Sequence, residues 1–223
     1  MKILLTGGAG YIGSHTSLAL IDAGHDVTII DNLSTGNKDL IPSKAKFIQC
    51  NINDTVVIKN LLQKEKFNVL MHFAGYIEVE ESIKNPEKYF NNNTNNSKIL
   101  LDTCSENNLN NIIFSSTAAV YGNPIDDKPV LETSSLKPLN AYGKSKIQTE
   151  KYLQNNSRLN YIILRYFNVA GADPKMRSGI ISKNATHLIK IASEVVVRKR
   201  KKITIFGNDY PTPDGTAIRD YIH

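Results

Sequence analysis

This chain of 223 residues is poor in the features that mark several large classes of protein. Nowhere do about eighteen apolar residues run together, so no membrane-spanning helix is expected. The two cysteines, Cys50 and Cys104, lack CxxC spacing, which excludes a disulfide framework; they read as small, buried or half-buried thiols of a reducing compartment. Five histidines (His15, His25, His72, His187 and His223) are scattered without HxxxH spacing or a carboxylate at ligand spacing, so no metal is expected. His15 is expected near a phosphate loop, His72 as a strand-end packing residue and His187 on a helix where it can face a substrate. No internal repeat is visible. The apolar run between Lys2 and Gly7 is too short for a secretion signal, and the cytoplasm is the expected compartment.

Acidic residues are outnumbered, 21 against 27 Lys and Arg, for a net charge of +6. Part of that excess is one run, Arg198-Lys199-Arg200-Lys201-Lys202. No aromatic residue interleaves it, so a solvated helix end is expected rather than a nucleic-acid surface. The hydrophobic fraction of 41% and charged fraction of 22% are those of a soluble globular protein.

What the sequence does contain is alternation. Short apolar runs predict strands at Lys2–Thr6, Asp26–Ile30, Lys46–Gln49, Val69–His72, Asn111–Ser115 and Tyr161–Arg165. Between them lie helical patterns: Tyr11–Ala23 ending at Gly24, one capped by Asp54 through about Gln63, one long helix from Pro86 toward Glu106, and Tyr142 to about Asn155. Asn91–Asn96 reads as a polar tract of biased composition. Alternation of this kind predicts an α/β fold, a doubly wound parallel sheet with ligands at the carboxyl ends of its strands. The nucleotide-binding domain is expected over 1–168 and the start of a substrate-binding portion over 169–223. In that second part a helix from about Asn184 to Val197 and a short strand Ile203–Phe206 are predicted.

Two motifs carry chemistry. Gly7, Gly10 and Gly13 fall between the first strand and first helix, where glycines permit a tight turn and close backbone approach to a pyrophosphate. Asp31 ends the next strand, the position at which a carboxylate meets an adenosine ribose and favours NAD over NADP. Tyr142 and Lys146, four residues apart, share one helix face. A phenol titrates near ~10, so a tyrosine base near pH 7 needs roughly 4 kcal/mol of help. A lysine charge about 4 Å away supplies roughly that much at an effective dielectric of ~20. Ser115 or Thr117, at the end of the fifth strand, can present a hydroxyl to the same substrate oxygen, and a base of this kind contributes about 10²–10⁴-fold in rate.

At this point the chain resembles the extended short-chain dehydrogenase/reductase family, and within it the branch that epimerises UDP-sugars. The likeness rests on Thr6 to His15, Asp31-Asn32-Leu33, His72-Phe73-Ala74-Gly75, Val120-Tyr121-Gly122, Tyr142 to Lys146, Leu164 to Asn168, Ile205 to Thr212, and Arg219 to His223. The resemblance implies a Rossmann-like fold, NAD as cofactor, and interconversion of UDP-glucose and UDP-galactose through a 4-keto sugar. It implies Tyr142 as base, Lys146 as its electrostatic partner and Thr117 as the hydroxyl beside it. Tyr11 and Ile12 would flank the pyrophosphate, with Asp31 and Asn32 on the adenosine ribose and Asn51 and Ile52 near the adenine. Phe73, Ala74, Gly75, Asn92, Ser115 and Phe167 would complete the cofactor lining. On the sugar-nucleotide side it implies Asn168, His187, Thr204, Ile205, Phe206 and Arg219. A homodimer is the expected assembly.

The pattern departs from the family in three places. Asn51 stands where an aspartate is common, and Ile77 where a lysine often meets the pyrophosphate, which predicts weaker NAD retention. Family members are also expected to continue for roughly 100 residues beyond the position of His223, a section that completes the substrate domain. Two other readings compete: a dinucleotide-binding remnant or sensor without catalysis, and another nucleotide-sugar epimerase or dehydratase. Dehydratases carry an acidic pair after the threonine, whereas Thr117 is followed by Ala118-Ala119.

Overall fold

A computed structural model describes residues 1–123, 129–181 and 187–223. The chain divides into two compact units, Met1–Tyr166 and Phe167–His223. The first is an α/β unit around a six-stranded, wholly parallel sheet. Its strands are β1 (Lys2–Thr6), β2 (Asp26–Asp31), β3 (Lys46–Gln49), β4 (Val69–His72), β5 (Asn111–Ser115) and β6 (Asn160–Leu164), in the spatial order β3-β2-β1-β4-β5-β6. Order reverses between β1 and β4, and the carboxyl ends of those two strands open the crevice in which such sheets take ligands.

Helices α1 (Tyr11–Asp22), α2 (Thr55–Lys64), α3 (Val79–Lys84), α4 (Pro86–Tyr89), α5 (Ser97–Glu106) and α6 (Ala141–Asn155) connect the strands. Their ends follow the expected chemistry. The Asp54 carboxylate accepts from the Val57 amide at 3.1 Å to cap α2. Gly24 takes φ +80° after α1, where a side chain would be strained. The core is built from Leu4, Ile30, Ile58, Leu70, Leu100, Leu101 and Phe114, all sealed from solvent, each worth about 1.5–3 kcal/mol of burial.

The expected long helix from Pro86 to Glu106 is broken in register. Between α4 and α5, Phe90–Asn96 winds as a π-helix, and this is the asparagine tract that composition had seemed to explain. Specific bonds hold it: Asn93 exchanges two hydrogen bonds with the Tyr76 backbone, both 2.9 Å, and Thr94 donates to the Ser145 carbonyl at 2.9 Å. Widened turns of this kind collect at functional sites, because the extra residue aims side chains that a regular helix would not. The helix α3 has no counterpart in the sequence reading either.

In the second unit β7 (Asn168–Val169) pairs in parallel with β8 (Tyr221–Ile222), and α7 covers Leu188–Val196. The start expected near Asn184 lies outside the described residues. The predicted strand Ile203–Phe206 is not formed: among the described residues no strand pairs with it, and Ile205 and Phe206 are 71% and 94% exposed. A strand without a ladder partner leaves its amides to water, so β-branched composition alone did not suffice. The basic run from Arg198 follows the end of α7 and is exposed, with Arg200 paired to Glu194 at 3.2 Å.

No helix among the described residues is long and apolar enough to cross a membrane.

Candidate active site

A cleft opens at the carboxyl ends of β1, β2 and β4. Of the residues expected to hold a cofactor, Gly7, Gly10, Asp31, Asn32, Asn51, Ile52, Phe73, Ala74, Gly75 and Asn92 line it. The glycine loop that forms one wall has no room for side chains. Gly7 sits at φ +75°, and a Cβ there would fall 2.6 Å from the Ala74 amide; one on Gly13 would fall 2.2 Å from the Gly7 carbonyl. Gly10 is the N-cap of α1 and brings no side chain to cap it, so the positive end of the helix faces the loop uncovered. Tyr11, Ile12 and Gly13 form the first turn of that helix. Asp31 braces the loop: Oδ2 accepts from the Ala9 amide at 3.0 Å and Oδ1 from the Leu33 amide at 2.8 Å. Each carboxylate oxygen has a further lone pair for a ribose hydroxyl. Next to Asp31, Asn32 donates to the Asn51 side-chain oxygen at 2.8 Å.

Behind the cleft stands α6. Asn140 caps it by accepting from the Gly143 amide at 2.9 Å, which sets Tyr142 in the first turn and Lys146 in the second. Gly143 allows the helix close to the Ala118–Val120 turn, since a Cβ would lie 2.9 Å from the Ala119 carbonyl. Thr117 accepts from the Ala119 amide at 3.2 Å, and its hydroxyl hydrogen-bonds Tyr142. The Ser115 hydroxyl hydrogen-bonds the Tyr166 phenol, while the Thr117 hydroxyl meets Tyr142.

Lys146 is 2% exposed and donates to the Ser115 carbonyl at 2.9 Å, above the Phe114 ring. A Cβ on Gly75 would come within 3.2 Å of its Nζ, so the lysine reaches the cleft wall through the gap that glycine leaves. Burial lowers the Lys146 pKa to about 8, against the pull of Glu150. The Tyr142 phenol, by contrast, is raised by burial, and the Thr117 hydrogen bond pulls it back only in part. In the protein alone the Lys146 ammonium is directed to a backbone carbonyl, and desolvation keeps the Tyr142 phenol raised.

Sequence reasoning missed Asn93 and Tyr76, and had His72 only as a strand-end packing residue. Asn93, 1% exposed, ties the π turn to Tyr76 and to Ser145 on α6. Tyr76 itself lines the cleft, with Lys88 Nζ 4.2 Å from the centre of its ring. His72 is fully buried between the Thr6 hydroxyl at 2.6 Å and the Ser97 hydroxyl at 2.8 Å, and burial with the nearby Lys146 charge depresses it to about 3. The asparagine tract was the available signal for the first.

The residues expected on the sugar side, and Phe167, belong to the second unit. The Asn168 side-chain amide donates to the Asp220 carbonyl at 3.0 Å, beside Arg219. His187 stands at the N-cap position of α7 without a side-chain capping bond and meets the Tyr221 ring edge-on at 5.9 Å. Thr204, Ile205, Phe206 and Arg219 are exposed and in no strand, and Phe167 is 43% exposed. Among the described residues no group of three or more His, Cys, Asp or Glu could hold a metal ion.

A parallel sheet with a glycine-walled cleft at its switch point and a Tyr-Lys helix behind it defines a class, and the family comparison agrees: the chain belongs to the NAD dependent epimerase/dehydratase family, whose model matches residues 3–223. Within that family it is 46% identical over 225 residues to the UDP-glucose 4-epimerase of Azospirillum brasilense, covering 100% of this chain and 64% of that one. It superposes on the Brucella ovis UDP-glucose 4-epimerase solved with NAD at a TM-score of 0.93 and 38% identity, covering 100% of this chain and 69% of that one. The UDP-Glc/GlcNAc 4-epimerase of Campylobacter jejuni matches at 47% identity and a TM-score of 0.81, with coverage of 100% and 70%. The chain thus spans about two thirds of the length of the curated relatives it matches.

Proposed function

We propose that this chain carries the nucleotide-binding and reacting part of an NAD-dependent UDP-hexose 4-epimerase, interconverting UDP-glucose and UDP-galactose. The observation that carries the reading is the meeting of Lys146 with the cleft wall at Gly75, on the same helix face as a Tyr142 already bonded to Thr117. Gly7, Gly10, Tyr11, Ile12 and Gly13 would receive the pyrophosphate, Asp31 and Asn32 the adenosine ribose, and Asn51 and Ile52 the adenine. Phe73, Ala74, Gly75, Asn92, Ser115 and Phe167 would line the nicotinamide half. NAD, once bound, supplies a hydride acceptor and donor at carbon 4 of the sugar and a positively charged ring.

The protein's own work is proton transfer. Tyr142 removes the proton of the sugar 4-hydroxyl and returns it after the keto sugar has turned over. Thr117, donating to the phenol oxygen, favours its ionised form. Lys146, with a pKa of about 8, is largely an ammonium at neutral pH and adds a positive charge at the cleft wall. Burial works against ionisation of Tyr142, so the base acts efficiently only when further positive charge enters the cleft. Asn168, His187, Thr204, Ile205, Phe206 and Arg219 would bind the sugar nucleotide, Arg219 through its fork of donors to a diphosphate. We place the protein in the cytoplasm as a homodimer.

The raised phenol also favours a second reading, a chain that binds NAD without turning it over. Adding UDP-galactose to the NAD-loaded protein decides between them. Growth of the reduced-nicotinamide absorbance band, lost in Tyr142→Phe, supports the epimerase; tight NAD with no band supports the binding protein.

A further inference from the structure

Tyr142, Lys146 and Glu150 follow at intervals of four along α6 and so share one face of it. The first two belong to the proposed reaction; Glu150 has no part in it. Its exposure is 1%, rare for a carboxylate, and both its oxygens are engaged. The Ser116 hydroxyl donates to Oε1. Arg165 closes a fork on the carboxylate, with Nε 3.1 and 3.2 Å from the two oxygens and Nη2 2.7 Å from Oε2. The other arm of the guanidinium donates to the Tyr121 hydroxyl at 3.1 Å and the Glu132 carbonyl at 3.3 Å. Ser116 is the residue between Ser115, whose carbonyl receives Lys146, and Thr117, whose hydroxyl meets Tyr142. A buried ion pair is a weak stabiliser, because desolvation cancels much of its attraction and an apolar pair of equal volume holds a fold as well. The location calls for another explanation.

We propose that Glu150 is a positioning residue for the epimerase site: its carboxylate, one helical turn from Lys146, keeps that buried lysine in the ammonium form, and its bonds to Ser116 and Arg165 fix the strand end that carries Ser115 and Thr117. The proposal rests on Tyr142 and Lys146 being the reacting pair. Lys146 faces Tyr142 along its own helix, the neutral imidazole of His72 from β4, the Phe114 ring and Ser115 carbonyl from β5, and Asn93 across the Gly75 gap. None of these is anionic at neutral pH. Arg165, the nearest other cation on Glu150, sits on the carboxylate and not on the lysine. Glu150 is thus the counter-ion available to Lys146 among the described residues, and it works against the burial that lowers the lysine.

The test is the titration of Lys146 in the 223-residue chain labelled with ¹³C at lysine Cε, its resonance assigned by loss in Lys146→Arg. Glu150→Gln keeps the shape and the Ser116 bond but removes the charge. It is expected to move the Lys146 midpoint down by about one pH unit or more. The same move is expected in Glu150→Gln/Arg165→Met, which leaves no unpaired guanidinium and guards against a single variant that does not fold. A weaker reduced-nicotinamide band at neutral pH should accompany the shift. A midpoint unchanged in either folded variant overturns the proposal, since a purely structural carboxylate would be replaced by glutamine without consequence for the lysine. The titration needs no nucleotide, so a shifted midpoint in a chain that never reduces NAD overturns the epimerase reading and leaves the counter-ion role standing.

Discussion

The two units of this chain treat their apolar residues in opposite ways. In the first, the sheet and its helices seal a core in which residues such as Leu4, Leu70, Leu100 and Phe114 have no solvent exposure, and among the strands the edge strand β6 leaves Tyr161 and Ile162 open. In the second, α7 has no buried residue along its length, and Val196, Phe206 and Ile218 are 81%, 94% and 77% exposed. Among the described residues the side chains buried there, Asp173 and Ser178, are polar and serve a local turn in which Arg177 forks onto Asp173. Stability therefore resides in the first unit, together with the glycine loop and the Tyr-Lys helix. The second unit holds its described residues by a two-residue strand pair and local hydrogen bonds.

The largest effect should come from attacking that contrast at its root. Phe114→Ala, deep in the core of the first unit, should cost about 3–5 kcal/mol. Val196→Ser on the exposed helix of the second should change stability by no more than about 0.5 kcal/mol. Urea midpoints of the two variants check this, and comparable losses would erase the distinction.

A somewhat smaller effect should appear on acidification. The imidazole of His72 titrates near 6.5 in the unfolded chain and near about 3 in the fold, because burial penalises its charged form. Protons therefore bind the unfolded chain in preference, and the stability present above about pH 6.5 is lost as the pH falls toward 3. The loss between pH 7 and pH 4 should be on the order of 3 kcal/mol, and His72→Gln should flatten that part of the pH profile. A profile as steep in the variant as in the parent would assign the acid sensitivity elsewhere.

The smallest change sharpens the cleft side of the comparison. Ile77, 65% exposed beside the cleft residue Tyr76, stands where the sequence resemblance leads one to expect a lysine. Ile77→Lys should strengthen NAD binding by about 1.5–3 kcal/mol through one charge-assisted bond. Stopped-flow release of NAD reads it directly, and an unchanged off-rate would mean that position 77 does not reach the phosphates.

Much of the first unit was legible because its signals are local and repeated. Apolar runs bounded by glycine or asparagine marked all six strands, and Asp54 and Pro86 marked helix starts. The π turn was not legible, because what widens it is the pairing of Asn93 with Tyr76 and Ser145, residues far along the chain. Spacing placed Tyr142 and Lys146 on one face but could not reveal that the Ser115 carbonyl takes the ammonium and that burial dominates the phenol. Ile203–Phe206 failed for the reason strands commonly fail: residue type indicates a willingness to extend, not the presence of a neighbour.

The brace at Asp31 has a consequence for how fast a dinucleotide can dock. Because the carboxylate already clamps the amides of Ala9 and Leu33, the turn is rigid beforehand and little conformational freedom is left to surrender on complex formation. Hydrogen exchange at those two amides should be slow in the free protein and barely slower in the complex, so that the encounter is governed by diffusion into a finished mould and not by a loop folding around its guest.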